Sequence, residues 1–469
     1  MSKAYVLGLG QSGIAAAKLL HHLGWDVVIS DGKDTPSLRE RSQPLVSEGI
    51  GLALGGFPDW QSLTDAGTVV NLIVVSPGIP WDHPSLIAAR QLGIETIGEM
   101  ELAWRNLRDI PWVAITGTNG KTTTTSLTAA IFQGAGLRAV ACGNIGFAAC
   151  DVALQALTEQ PDWIIAELSS FQIEAASTIT PQIGIWTTFT PDHLNRHYTL
   201  ENYRHIKASL MHQANHIVLN GDDPEIAQTG PALWPAAIWT ATTPSLPEAL
   251  ATGATVVDGW VTFAGEQLFS LSRWQLLGEH NVQNLLMAVA AARLAHIKPA
   301  VIEQAIAEFT GVAHRLEPVR SLACGDGKVT FINDSKATNY DAAEVGLKSV
   351  NEPAILIAGG QPKQGDATGW LKQIQQRAWR VLLIGEARHL FAQMLVEHDY
   401  HSYEVMEALD QAVPRSLDLA MELMTKENVG HAVTVLFSPA CASFDQFANF
   451  EQRGDYFRKL CAELTASEI

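Results

Sequence analysis

Residues 112–134 read WVAITGTNGKTTTTSLTAAIFQG, and this stretch decides the fold. An apolar run of strand length, Trp112 to Thr116, gives way to a glycine-punctuated turn and then to a segment of helical period. Strand, glycine-rich loop and helix in that order describe a nucleotide-binding α/β unit. Across Gly117-Thr118-Asn119-Gly120-Lys121-Thr122-Thr123 the backbone amides can cradle phosphate oxygens. The Lys121 ammonium can neutralise the β and γ phosphates, and the Thr122 hydroxyl can ligate magnesium. The loop departs from the general GxxxxGK[ST] pattern, because Ile115 stands where the first glycine is expected. A plain surface turn is the competing reading, and it leaves GKT between a buried strand and a helix unexplained.

Working outward, the same alternation recurs. Apolar runs of strand length include AYVLGLG (4–10), DVVISD (26–31), LIVVSPG (72–78), DWIIAELSS (162–170), HIVLNGD (216–222), AILIAGG (354–360), RVLLIGE (380–386) and TVLFSPA (434–440). Segments of helical period such as IAAAKLLHHLG (14–24) lie between several of them and close at a glycine. Strands alternating with helices predict parallel sheets covered by helices, an α/β class. The stretch Thr229 to Ala254 differs: with Pro231, Pro235, Pro244 and Pro247 it reads as loops or short strands. The 469 residues suggest about three domains. We expect a Rossmann-like domain at 1–99, a phosphate-loop ATPase domain with a mostly parallel sheet at 100–311, and a Rossmann-like domain at 312–469.

Near the N-terminus, Gly8-x-Gly10-x-x-Gly13 follows a strand and opens a helix, and Asp31 ends the next strand. That spacing suits a dinucleotide, whose pyrophosphate the helix N-terminus attracts and whose ribose the acid can bind. A different diphosphate nucleotide, or a turn with no ligand, fits the same residues. Composition narrows the partners. Lys and Arg total 31 against 49 Asp and Glu, a formal charge of −18, so the mean field repels nucleic acid and anionic membrane. The five cysteines lack CxxC spacing, which suggests neither a disulfide framework nor a zinc site and fits a reducing cytoplasm. The start of the chain lacks the pattern of a signal peptide, and no apolar run reaches the length of a membrane span.

TGTNGKTT at 116–123 resembles the phosphate loop of the Mur ligases and folylpolyglutamate synthetases. Eight further motifs follow in the Mur ligase order: GNIG (143–146), ELSSFQ (167–172), TPDHLNRH (190–197), GEHNVQN (278–284), HRLE (314–317), NDSKATN (333–339), SPACASFDQF (438–447) and NFEQRG (449–454). Within that family SPACASFDQF is similar to the D-glutamate-adding members, and the Asp-Asn-Pro-Arg of the diaminopimelate or lysine adders does not occur. The resemblance implies an ATP- and magnesium-dependent ligase that joins D-glutamate to UDP-N-acetylmuramoyl-L-alanine through an acyl phosphate. It further implies peptidoglycan precursor synthesis in the cytoplasm by a monomer. The alternative within the superfamily is another Mur ligase, or a folylpolyglutamate-type ligase, with a different amino acid. A nicotinamide oxidoreductase would leave TGTNGKTT unexplained, and a non-catalytic nucleotide switch would leave the C-terminal motifs unexplained.

Residue by residue, Glu167 ends an apolar strand beside the phosphate loop, where its carboxylate can hold magnesium. His193 alone reads as a structural hydrogen-bonder; the resemblance puts it on a second magnesium and near the sugar. Lys207 reads by spacing as a solvated helix residue, whereas the resemblance implies a carbamylated lysine acting as an anion toward magnesium. Asn281 and Asn284 lie three apart on one helix face, suited to adenine, to capping, or to both. The resemblance takes Arg315 and Asp334 to ATP, and Lys336 and Thr338 to the reacting carboxylate and incoming amino acid. It takes Lys363, Ser443 and Phe444 to D-glutamate, and leaves Phe450 and Arg453 as support. The UDP-sugar would meet Gly10, Gln11, Ser12, Gly13, Asp31, Lys33, Ser76, Pro77, Gly78 and Asn144. Because Arg315, Asp334 and Lys336 fall in a different predicted domain from Lys121, we expect the third domain to close on ligand binding.

Overall fold

The structure, a computed structural model, describes residues 2–243, 252–324, 327–363, 365–426 and 432–464. Strand β1 (Lys3–Leu7) is buried from Ala4 to Leu7, because it lies inside a sheet covered on both faces. Ala4 and Val6 enter one apolar core while Tyr5 and Leu7 enter another, as the two-residue period of a strand requires. Its partners are β2 (Asp26–Asp31), β3 (Gly51–Leu54), β4 (Leu72–Val75) and β5 (Glu95–Gly98), all parallel, in the order β3-β2-β1-β4-β5. This is a Rossmann-type order, and it reverses direction between β1 and β4.

A second sheet follows. Its parallel part comprises β6 (Trp112–Thr116), β7 (Ala139–Gly143), β8 (Trp163–Glu167), β9 (Ile183–Trp186), β10 (His216–Asn220), β11 (Ile238–Ala241) and β12 (Ala254–Val257), and an antiparallel margin adds β13 (Trp260–Phe263) and β14 (Glu266–Ser270). The order is β14-β13-β12-β11-β10-β9-β6-β8-β7, so β6 sits centrally between β8 and β9. These two sheets form one compact unit, Met1–Trp274 with Gln283–Phe309, and share a core that includes Ala16, Leu20, Met100, Trp104, Cys150 and Ala153.

The other unit, Gln275–Val282 with Thr310–Ile469, holds a third sheet. Its strands are β15 (Glu317–Cys324), β16 (Gly327–Asn333), β17 (Ala354–Gly359), β18 (Ala378–Ile384), β19 (Tyr403–Val405) and β20 (Ala432–Phe437), in the order β15-β16-β20-β17-β18-β19. Only β15 runs antiparallel to its neighbour. The α/β class and three mostly parallel sheets match the sequence reading.

One expectation is corrected. Pro231 lies inside a helix, Pro224–Leu233, rather than in a loop. Pro224 suits the first turn, the Asp223 carboxylate caps it by accepting from Ile226 N at 3.0 Å, and Pro231 falls close enough to the end to forfeit little. Pro244 and Pro247 lie outside the described residues.

Candidate active site

The phosphate loop leaves the carboxyl end of β6 and is pinned from the β9 side. Thr118 N donates to Thr188 O at 2.8 Å, Asn119 N to Thr188 Oγ1 at 2.9 Å, and Thr118 Oγ1 to Thr190 O at 3.0 Å. Two positions require glycine. A Cβ on Gly117 would stand 1.9 Å from Thr187 Oγ1, and one on Gly120, at φ +82°, would stand 2.6 Å from Asn284 Oδ1. Lys121 opens the helix Lys121–Gly134 and folds back, donating to Gly117 O at 2.8 Å and Thr118 O at 2.9 Å. Asn284 is buried against this loop and accepts from Thr124 Oγ1 at 3.2 Å.

Glu167 ends β8 in register with Ile115 and is 1% exposed. Asn144 Nδ2 donates to its Oε1 at 2.7 Å, while its Oε2 is buried with no hydrogen-bond partner. An unpaired carboxylate oxygen buried beside a phosphate loop fits a divalent cation, with buried Thr122 in the adjoining helical turn. Among the described residues no group of three or more His, Cys, Asp or Glu could hold a metal alone. An ion here would take its remaining oxygens from substrate and water.

Lys207 overturns the reading from spacing. Together with Tyr203, Leu210 and Met211 it forms the inward face of the helix Leu200–Gln213, and it is 1% exposed. Its Nζ donates to Gly117 O at 2.8 Å and Thr116 Oγ1 at 3.3 Å, and lies 4.8 Å from the Tyr203 ring centre. Burial first, then repulsion from Lys121, pushes its pKa well below the ordinary lysine value. His193, at φ +55°, lies with its Nε2 3.5 Å from Asp192 Oδ2 and its ring 4.9 Å from that of Phe171.

At the reversal between β1 and β4, the glycine turn meets Ser76-Pro77-Gly78. A Cβ on Gly13 would stand 1.9 Å from Gly8 O, and Ser76 Oγ donates to that same oxygen at 3.2 Å. Gln11 and Ser12 begin the helix Gln11–His22, and a Cβ on Gly10 or Gly78 would meet nothing within 4 Å. Asp31 accepts from Leu9 N at 2.9 Å and from Lys33 N at 3.0 Å, so it shapes the turn as well as offering lone pairs. Lys33 itself is exposed. Beside this turn runs a narrow cleft whose lining includes Ser76, Pro77, Trp81, Phe171, Gln172 and Arg196.

In the second unit the carboxyl ends of β16, β20 and β17 bring three motifs together. Ser438 Oγ donates to Asp334 Oδ2 at 2.7 Å and Leu316 N to its Oδ1 at 3.3 Å; burial pushes the Asp334 carboxyl up to about 7. Gln361 and Ala442 exchange backbone hydrogen bonds at 2.9 and 3.1 Å, which sets the Lys363 loop beside Ser443. Ser443 is buried, and Phe444 is 68% exposed. Lys336 Nζ lies 5.2 Å from the Phe450 ring centre, and Thr338 N donates to Lys336 O at 2.9 Å. Arg453, 1% exposed, joins the two loops by donating to Ser335 Oγ, Ser335 O, Cys441 O and Ala442 O at 2.7–3.0 Å. Asn281 Nδ2 donates to Leu277 O at 2.7 Å, tying the start of its helix to the preceding turn, and Arg315 follows buried His314.

Comparison with known proteins converges on one family. The family model for the Mur ligase MurD-like N-terminal domain matches residues 2–98, and that for the Mur ligase middle domain matches 115–292. A UDP-N-acetylmuramoylalanine–D-glutamate ligase of Trichormus variabilis is 55% identical over 473 residues, covering 100% of both chains. That of Synechocystis sp. is 54% identical over 470 residues, covering 99% of this chain and 100% of its own. The chain belongs to the Mur ligase family. Among solved structures, MurF from Acinetobacter baumannii aligns over 98% of this chain and 93% of its own with TM-score 0.61 at 13% identity. The UDP-N-acetylmuramate-alanine ligase of Thermotoga maritima aligns over 99% of each chain with TM-score 0.58 at 20% identity. Both show the shared Mur ligase fold.

Within this Mur ligase, Gly117 to Thr123, Glu167, Asn144, His193, Lys207 and Asn284 fall in the first unit, together with the turn at Gly10 to Gly13 and Ser76 to Gly78. Arg315, Asp334, Lys336, Thr338, Lys363, Ser443 and Phe444 fall in the second, as does Asn281. Sequence reasoning assigned nothing to Trp81, Phe171 and Arg196, which line the cleft. Phe171 and Arg196 lie inside two of the quoted motifs, and that was the available signal. Among the described residues no helix is long and apolar enough to cross a membrane.

Proposed function

We propose that this chain joins D-glutamate to UDP-N-acetylmuramoyl-L-alanine with ATP, in the cytoplasm and as a monomer, as a step of peptidoglycan precursor synthesis. One observation carries the reading: a preformed phosphate loop, a carboxylate with an unpaired buried oxygen and a buried, charge-averse lysine meet at the ends of β6 and β8. Full-length relatives that bear the ligase name support it. The division at 99 and 311 is part of the proposal, supported by where the sheets begin and end.

In this reading the loop amides bind the ATP phosphates and Lys121 balances developing charge. The alanyl carboxylate attacks the γ phosphorus, the bond to the β-phosphate oxygen breaks, and acyl phosphate and ADP form. The D-glutamate amine then attacks the acyl carbon, and phosphate leaves with the acyl bond's electrons. The work is positioning and electrostatic stabilisation. Glu167 and Thr122 would hold one magnesium and His193 a second; the ions would supply charge neutralisation for phosphoryl transfer. Burial lowers the Lys207 pKa and so favours the neutral amine, the form that adds carbon dioxide to give a carbamate and a released proton, an anion where an ammonium would repel metal. Asn144 orients Glu167 and borders the sugar end. We assign the diphosphate and uridine to the Gly10–Gly13 turn, Asp31, Lys33 and Ser76–Gly78. Asn281, Asn284, Arg315 and Asp334 are assigned to ATP. Lys336 and Thr338 are assigned to the reacting groups, and Lys363, Ser443 and Phe444 to D-glutamate.

Phosphate release with UDP-N-acetylmuramoyl-L-alanine, ATP, magnesium and a panel of D- and L-amino acids tests this. Release should depend on D-glutamate. Preference for another amino acid, or no amino-acid dependence, would overturn it.

A further inference from the structure

The turn that carries His193 is strained within itself and fastened from outside. His193 and Tyr198 have φ of +55° and +66°, conformations that residues with side chains rarely adopt, and only the short helix Leu194–His197 separates them. The fastening comes from the loop after β4. Tyr198 Oη donates to Asp82 Oδ2 at 2.6 Å, and Arg196 Nη1 lies 3.7 Å from Asp82 Oδ1. Arg196 is anchored in turn by Glu174 Oε2 at 2.7 Å and lies over the Phe171 ring at 5.4 Å. Asp82 follows Trp81 in the chain, and Trp81, Phe171 and Arg196 all line the cleft. The Tyr198 hydrogen bond, first among the causes, holds the Asp82 carboxyl below its usual range, so a charged acceptor is present at neutral pH.

We propose that Asp82, by gripping Tyr198 and Arg196, latches the loop after β4 to the 193–198 turn and is a positioning residue for His193. The latch would hold the strained 193–198 turn in the conformation that presents His193 to the substrate. The identity of that substrate rests on the functional reading above. Because Tyr198 is 69% exposed and the Asp82 side chain 46%, removing their contact opens no core cavity, and the melting temperature should not change.

The experiment uses the full chain as wild type, Asp82→Ala, Asp82→Asn, Tyr198→Phe and the double variant Asp82→Ala/Tyr198→Phe. Asp82→Ala and Tyr198→Phe should each raise KM for UDP-N-acetylmuramoyl-L-alanine and lower kcat, together by about threefold to tenfold in kcat/KM, with KM for ATP unchanged. The double variant should be no worse than the worse single one, and Asp82→Asn, which keeps an acceptor, should recover most of the loss. Hydrogen exchange of the 190–200 peptide should quicken in Asp82→Ala and Tyr198→Phe without any substrate. Additive losses in the double variant, or unchanged exchange in that peptide, would overturn the latch. Failure of the wild type to turn over D-glutamate would instead count against the functional reading, and the exchange measurement would still decide the latch.

Discussion

Replacing Arg453 by methionine removes a charge and four hydrogen bonds while keeping much of the side chain's length. The guanidinium is 1% exposed and is held by Ser335 Oγ and by the carbonyls of Ser335, Cys441 and Ala442. At about 1.5 kcal/mol each, the low end for bonds to a charged group, these contribute about 6 kcal/mol. Against that, burial pushes the group's pKa from the ordinary arginine value down to about 10, which corresponds to about 3 kcal/mol of disfavour for the buried charge. Arg453→Met should therefore cost the second unit about 3 kcal/mol, or about a hundredfold in its opening equilibrium. Of the 13 tryptophans only Trp370 and Trp379 belong to that unit, so whole-chain fluorescence would report mostly on the other. Hydrogen exchange read by mass spectrometry is the suitable assay: the slow amides of β16 and β20 should exchange about a hundredfold faster, with those of β6 unchanged. Arg453→Lys keeps the charge but loses the fork and should fall between the two. Unchanged exchange in β16 and β20, or equal acceleration in β6, would refute the reasoning.

Three other perturbations probe the sites. Lys207→Ala should abolish D-glutamate-dependent phosphate release, and short carboxylic acids should restore part of it by returning an anion to the site; no rescue, with full wild-type activity in carbon-dioxide-free buffer, would exclude carbamylation. The Asp334 carboxyl titrates near 7 in the fold against 3.8 as a free side chain. The proton is thus bound more tightly in the folded state. Its stabilising effect is complete below pH 3.8 and is lost as pH rises toward and through 7. Urea unfolding of the second unit from pH 4 to 8, followed by pulse proteolysis, should show wild type losing about 4 kcal/mol relative to Asp334→Asn across that range, and a constant difference would contradict it. Glu167→Gln keeps the shape and the Asn144 neighbour but not the charge. It should raise the magnesium concentration needed for half-maximal activity by at least about tenfold, measured by titrating the metal at saturating ATP.

Much of the fold was legible because its central strands are buried on both faces. Val113 to Thr116, Ile164 to Glu167 and Ala354 to Gly359 are wholly buried, and such strands leave unbroken apolar runs in the sequence. Edge strands left weaker traces. β3 has no buried residue and β19 only three residues, all at least partly exposed. The phosphate loop was legible because its ligand contacts come from contiguous backbone. Lys207 was not legible from spacing, since its burial depends on Gly117 O, 90 positions earlier, approaching that helix face. Asp82 and Tyr198 lie 116 positions apart, and only the packing of the first sheet's loops against the 193–198 turn brings them together. The Asn144 contact to Glu167 likewise joins two motifs that the sequence presents separately.

The charge of the chain takes on a sharper meaning at the phosphate loop. A net charge of −18 leaves any phosphate-rich ligand to local groups, and the residues around Lys121 give fewer cations than their names suggest. Lys207 sits in a place that disfavours its ammonium, while Asp192 and Glu167 lie close enough to pull its pKa the other way. With burial and Lys121 both disfavouring one ammonium and two carboxylates nearby, the side chains around the phosphate loop offer little positive charge to a nucleoside triphosphate. The loop amides would supply partial charges, and in the proposed reading a divalent ion arriving with the nucleotide would supply the remainder, with the unpaired Glu167 oxygen to receive it. Converting Lys207 to a carbamate would deepen the deficit and so tighten the requirement for metal. On this account an anionic lysine and a metal-dependent phosphate loop are one electrostatic arrangement.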